Sequence, residues 1–151
     1  MNLLYNMLFR LIPSDYFSKK YPVSVKGIVY INANIVLLKN ERNEWELPGG
    51  KIEISESTEQ CVIREIKEEL NLEVELQSLV DVWMYKVGGK VNVLIITYLC
   101  KPIQMNETKL KISHEHKELG LFARDQIAAL NMPEGYKQSI YRSVNLQSAA
   151  V

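Results

Sequence analysis

The stretch from Gly50 to Leu72, GKIEISESTEQCVIREIKEELNL, holds the densest set of side chains able to do chemistry in the 151-residue chain. On a helix turning roughly 100° per residue, Glu65, Glu68 and Glu69 fall within about a 100° arc. Val62, Ile63, Ile66 and Leu70 take an adjoining arc, so one face should be core and its neighbour a carboxylate cluster. Like charges three and four positions apart repel, costing a helix about 0.2–0.5 kcal/mol per pair. With Glu56 just upstream, the cluster calls for compensating positive charge, part of which Arg64 can supply. A hard divalent cation offsets the repulsion more completely, and Mg²⁺ suits one or two carboxylates combined with substrate phosphates. Gly49-Gly50 lets backbone approach the same ion, because no Cβ stands in the way. On charge pattern alone a solvated acidic face is the commoner meaning of such a helix; the order of the residues points elsewhere.

That order resembles the Nudix hydrolase (MutT-like) family, whose box reads G-x5-E-x7-R-E-U-x-E-E-x-G-U with U a bulky aliphatic residue. Gly50, Glu56, Arg64, Glu65, Ile66, Glu68, Glu69 and Leu72 match it in register. The last glycine is replaced by Asn71, which can adopt the same left-handed helix-ending conformation. The lead-in Leu47-Pro48-Gly49-Gly50 is similar to the family's as well, and the resemblance extends loosely over Val23 to Val144.

The resemblance implies an enzyme in which Mg²⁺ or Mn²⁺ lies between the box glutamates and a pyrophosphate that water attacks. Carried over residue by residue, Glu65, Glu68 and Glu69 become metal ligands and the Gly50 carbonyl a further one. Arg64 orients the carboxylates by bidentate bonding, and Glu56 supports that shell. The general base differs among family members; Glu65 is one option, and the segment Ser113–Glu118 offers Glu115 as first candidate and Glu118 as second. Substrates implied are nucleoside diphosphates linked to another group, such as nucleoside triphosphates, ADP-ribose or other nucleotide sugars, and dinucleoside polyphosphates. The alternative is a catalytically silent nucleotide-binding or regulatory module of the same fold; retention of every box carboxylate argues against it.

Outside the box the signals are weaker. Trp45, Trp83 and Tyr85 are the aromatics best placed in chain order to stack on a base, although core packing is the commoner fate of each taken singly, and Phe122 reads as core. His114 and His116 alternate along an extended segment and lack the helical spacing of a zinc site.

Composition narrows the partners. Lys plus Arg and Asp plus Glu both number 18, so no global charge attracts nucleic acid or an anionic membrane, and a phosphate-bearing ligand must be held locally. Cys61 and Cys100 form neither a metal cluster nor a disulfide framework, which suits a reducing cytoplasm. The apolar start, Met1 to Pro13, carries Leu4, Met7, Leu8 and Leu11 at helical spacing but falls short of a membrane span. It reads as a terminal helix packed on the domain or on a second copy, which is compatible with a homodimer.

The elements that must position the box follow from local pattern. Val23–Ile31 and Ile35–Lys39 read as strands around an Asn32-Ala33-Asn34 turn. Trp45 to Gly50 reads as a shaped loop, since Pro-Gly-Gly suits no element interior, and Lys51–Glu53 as a short strand. Ser57 and Gln60 form a capping-box pair opening a helix to about Leu70. Glu73–Val87 and Val91–Cys100 make a hairpin around Gly88-Gly89, the second strand being apolar on both faces and hence central. An irregular loop over Lys101–Ile112, a strand at Lys117–Phe122 and helices at Asp125–Leu130 and Glu134–Val144 complete the order. The expected fold is an α/β (α+β) three-layer α/β/α sandwich with a mixed sheet, comprising one domain over 21–146, an apolar segment over 1–20 and a tail over 147–151.

Overall fold

The computed structural model describes residues 20–104, 110 and 116–148. The apolar segment before Lys20, the candidate base Glu115 and His114 lie outside the described residues.

Strand β1 (Val23–Ile31) is the spine of the sheet. It turns at Asn32 and Ala33, both at positive φ, into β2 (Asn34–Lys39), the geometry that matches a tight hairpin to strand twist. Short strands β3 (Trp45–Glu46) and β4 (Gly49–Lys51) then pair antiparallel with β2 and β1. Helix α1 (Thr58–Leu70) follows, then the long β5 (Val74–Val87) and β6 (Val91–Pro102). After β7 (Glu118–Phe122) come a 3₁₀ segment (Arg124–Ala129) and helix α2 (Glu134–Ser148).

The strand order is β3-β2-β1-β6-β5, with β4 also on β1 and β7 on β2. β1 and β6 run parallel while the other pairs are antiparallel, so the sheet is mixed as expected. On one face, Val25, Val29, Tyr98 and Cys100 meet Cys61, Val62, Ile66 and Leu70 of α1. On the other, Ile28, Ile95 and Leu99 meet Ile127, Tyr136 and Ile140. These are the three layers, and each fully buried Leu or Ile in them contributes roughly 1.5–3 kcal/mol.

Helix α1 begins and ends as its sequence requires. The Ser57 hydroxyl accepts from Gln60 N at 3.2 Å, and the Gln60 side chain accepts from Ser57 N at 2.9 Å. Asn71 closes it at φ 53° and ψ 34° with its N–H on Lys67 O. The buried stripe, however, is Cys61, Val62, Ile66, Glu69 and Leu70, whereas Ile63 is 39% exposed. The helix is rotated so that a glutamate, not an isoleucine, completes its inner face.

Several boundaries differ from the sequence reading, among them β3 (Trp45–Glu46), a strand formed on β2 inside the stretch expected as a shaped loop. Gly49 and Gly50 pair with Lys26 and Val25, so the strand begins inside the Pro-Gly-Gly loop instead of after it, because β1 supplies partners that local propensity cannot register. Arg124–Ala129 is 3₁₀ rather than α, as short helices often are. The last helix runs on to Ser148, past Val144 and into the expected tail.

Candidate active site

The site is built on the Gly49-Gly50 bend, where β4 lies against β1 and faces the last turns of α1. Gly49 has φ +128°, and a Cβ there would come within 2.1 Å of Val25 O, so no other residue fits without moving the strand. Its N–H donates to Glu69 Oε2 at 2.7 Å, and its carbonyl accepts from Lys26 Nζ at 2.5 Å. A Cβ on Gly50 would fall 2.5 Å from Glu65 Oε1, so the Glu65 carboxylate occupies space that a side chain would otherwise fill.

Arg64 organises the outer carboxylates. Its Nε and Nη2 each donate at 2.9 Å to the two oxygens of Glu56, a bidentate fork. Nη1 donates to Glu65 Oε1 at 2.9 Å and to Glu68 Oε2 at 3.2 Å. The bond from Arg64 holds the Glu56 carboxyl below its ordinary range. Burial pushes Glu65 upward against the pull of the same guanidinium.

Glu69 sits deeper. It is 5% exposed, and burial raises its carboxyl to about 6, opposed by the charge of Lys26 and the bond from Gly49. Its Oε1 lies 3.5 Å from His116 Nε2, which is also 3.4 Å from Glu46 Oε1. The bond to Glu46 lifts the imidazole above its usual value although burial opposes it. Glu46 has burial as its largest influence, upward, but the Lys26 charge and the bonds from His116 and Asn40 together leave it below the ordinary range. A buried carboxylate with raised pKa is one whose charge is incompletely balanced.

Two adjoining cavities of about 440 Å³ each open here. One is polar, lined by Gly49, Gly50, Glu65, Glu69 and His116. The other is largely apolar, lined by Tyr85, Val87, Val93, Ile95 and Tyr136. Arg42, Glu46, Gly50 and Lys51 border both.

Of the residues singled out in the sequence, Gly50, Glu65 and Glu69 meet in the polar cavity and Tyr85 lines the apolar one. The three box glutamates divide rather than gather. Glu65 rests on Gly50 and Arg64, Glu69 turns inward, and the Glu68 side chain is 59% exposed. Among the described residues no three Glu, Asp, His or Cys side chains converge as a ready metal cage. The donors present still suit a hard cation: beside the His116 imidazole stand two carboxylates raised by burial, and a glycine whose missing Cβ admits the Glu65 carboxylate against its backbone. Trp45 packs edge-on against Phe122 at 4.7 Å and Trp83 against Tyr136 at 5.0 Å; neither lines either of these two cavities. Glu118 pairs with Lys39 at 3.1 Å and also lines neither.

Sequence reasoning missed Lys26, Glu46 and Arg42, and it set His116 aside. Lys26 did leave a trace: it stands in the middle of VSVKGIVYI, at a position that alternation and strand composition assign to the core. Glu46 and His116 left none, since only the tertiary fold brings β3 and the segment leading into β7 to the end of α1.

Comparison with known proteins agrees with the geometry. Residues 20–143 match the NUDIX domain. A MutT-like protein of Streptomyces ambofaciens is 32% identical over 84 residues, 54% of this chain and 53% of that protein. An ADP-ribose pyrophosphatase of Methanocaldococcus jannaschii is 40% identical over 65 residues, 40% of this chain and 38% of that one. The matches thus span about half or less of the length of these relatives. The crystal structure of a MutT protein from Methanosarcina mazei superposes with a TM-score of 0.72 at 21% identity, covering 87% of this chain and 98% of that one, a likeness of fold.

Proposed function

The chain belongs to the NUDIX family, and from that premise we propose that it is a pyrophosphohydrolase cutting a phosphoanhydride bond in a nucleoside diphosphate linked to another group. One observation carries the reading: a carboxylate-lined cavity built on the box shares a wall with an apolar cavity whose volume lies within the roughly 300–1,000 Å³ of small-molecule sites. The apolar cavity takes the nucleoside, with Tyr85 and Tyr136 offering ring surface and Val93 and Ile95 closing it. Arg42 and Lys51, on the shared border, are the cations that meet the diphosphate as it passes from one cavity into the other.

Mg²⁺ or Mn²⁺, held by Glu65, Glu68, Glu69 and the Gly50 carbonyl, would supply charge neutralisation at the phosphoryl oxygens and a bound water of lowered pKa. The protein's own part is to orient and to hold protons. Arg64 fixes Glu65 and Glu68 by Nη1 while its other face is locked on Glu56, so the carboxylate oxygens are set before substrate arrives. Glu69, raised to about 6, is largely ionised near neutrality yet still partly able to carry a proton. Glu115 is the proposed acceptor of the attacking water's proton. Glu118, engaged by Lys39 and away from both cavities, is the weaker choice.

A silent nucleotide-binding module is the second reading, favoured by the engagement of Glu65 and Glu68 on one guanidinium nitrogen. The two are separated by incubating the protein with nucleoside triphosphates, ADP-ribose, nucleotide sugars and dinucleoside polyphosphates in Mg²⁺ and Mn²⁺, identifying products by mass. Hydrolysis is expected for at least one class and is lost in Glu69→Gln. Tight binding without release from any of them would establish the silent module.

A further inference from the structure

The mechanism above leaves one buried charge unused. Lys26, in the middle of β1, is 5% exposed, flanked by the fully buried Val25 and Ile28. An ammonium there forfeits hydration that a methionine or leucine of similar length would never need, so its presence requires a partner. Glu46 Oε1 is 3.9 Å away, too far for a hydrogen bond, whereas the Gly49 carbonyl is at 2.5 Å. The lysine therefore spends its directional bond on backbone, at the residue whose φ of +128° is hardest to hold.

That residue is pinned at three points. Pro48 O, just before it, accepts from Gly27 N at 2.9 Å; Gly49 N donates to Glu69 Oε2 at 2.7 Å; Gly49 O accepts from Lys26. A Gly-Gly pair has more backbone freedom than any other dipeptide, and left alone it would sample many conformations. Two of the three pins are rigid backbone or box chemistry. The third is a side chain from outside the box, and its charge also faces Glu46 and Glu69.

We propose that Lys26 is a positioning residue: its ammonium clamps the Gly49 carbonyl and so seats the glycine bend against Glu65 and Glu69, presenting Gly50 and both carboxylates to the polar cavity in one geometry. Its consequence for turnover rests on the hydrolase reading; the clamp itself does not. Lys26 also borders the apolar cavity, but its directional bond is to Gly49, and through it the loss of Lys26 should lower kcat and weaken divalent-ion binding with little change in KM. Misplacement by about 1 Å costs on the order of 10²-fold in rate.

The test compares Lys26→Met, which keeps length without charge, with Lys26→Arg and Lys26→Gln, using the full chain. Amide exchange at Gly49 and Gly50, followed by NMR without metal or substrate, reads the clamp directly. In Lys26→Met the Gly49 amide should exchange about 10-fold faster or more while β2 and α1 amides stay protected, and Mn²⁺ binding, read by EPR of the free ion, should weaken about 10-fold. Kcat on the best substrate should fall about 30-fold or more with KM within about threefold, and Lys26→Arg should recover most of each loss. Unchanged exchange at Gly49 overturns the clamp. A raised KM with unchanged kcat overturns it too, by making Lys26 a direct substrate contact. Should Lys26→Met fail to fold, Lys26→Gln, which keeps a donor without charge, is read by the same criteria. Should the native protein cleave nothing, the hydrolase reading fails, while Gly49 exchange still decides the clamp.

Discussion

Two acidic networks stand within a few residues of each other on α1, and they behave differently. The outer one, Glu56–Arg64–Glu65–Glu68, is organised by a guanidinium at the surface, with the Glu68 side chain 59% exposed. The inner one joins Glu69 to Gly49, His116, Glu46 and Lys26, with Lys26 and Glu69 each 5% exposed. The outer network reaches solvent through Glu68, where the pair with Arg64 is screened and serves chiefly to aim oxygens, while Glu65 beside it is part-buried. In the inner network each unpaired group bears a desolvation penalty, and burial moves Glu69 to about 6. The same chemistry thus orients at the rim and tunes charge in the interior, and perturbing the inner network should cost more.

The largest effect expected is from Glu69→Gln. It keeps the shape and an acceptor for the Gly49 N–H but removes the buried charge, and hydrolysis should fall about 10³-fold with the fold retained by circular dichroism. A loss no greater than that of Glu68→Gln would erase the distinction between the networks. Gly50→Ala comes next: its Cβ would fall 2.5 Å from the Glu65 carboxylate, forcing that group aside, and turnover should drop about 10²-fold. Arg64→Lys keeps the charge but not the fork that grips Glu56, so about a 10-fold loss of turnover is expected, with a melting temperature moved by only a few degrees.

The smallest effect is on stability against pH. For an acid whose folded pKa exceeds its unfolded value, the native state binds more protons between the two, so stability falls as pH rises through that window. Glu69 places the window between the ordinary 4.5 and about 6, amounting to at most about 2 kcal/mol, and Glu65 shifts in the same direction. Glu46 and Glu56, held low, act with the opposite sign and only below 4.5. Denaturant melts of the metal-free protein should show the fall, and saturating Mn²⁺ should abolish it; a flat profile without metal would mean that Glu69 is not inadequately compensated.

What the sequence made legible was local. The Ser57–Gln60 capping box, Asn71 in the left-handed conformation and the Gly88-Gly89 hairpin, both glycines at positive φ, each rest on contacts within a few residues, and all are present. The mixed sheet between two helical layers followed from the order of such elements. Pattern reading failed where the deciding partner was remote. β4 becomes a strand because β1 pairs with it, and Ile63 leaves the core because the approach of α1 to the sheet turns Glu69 inward. Among the aromatics, chain order could not tell Tyr85, which lines a cavity, from Trp45, which packs on Phe122. The inner network was illegible for the same reason, drawing as it does on β1, β3, α1 and the segment leading into β7.

The central claim is that divalent metal and diphosphate share the polar cavity beside Gly50. A crystal of the protein with Mn²⁺ and a non-hydrolysable nucleoside triphosphate, measured for anomalous scattering, tests it directly. The expected result is a manganese peak within coordination distance of Glu65 and Glu69 oxygens and the nucleoside against Tyr85. Manganese bound away from both carboxylates, with the nucleotide elsewhere, would contradict it.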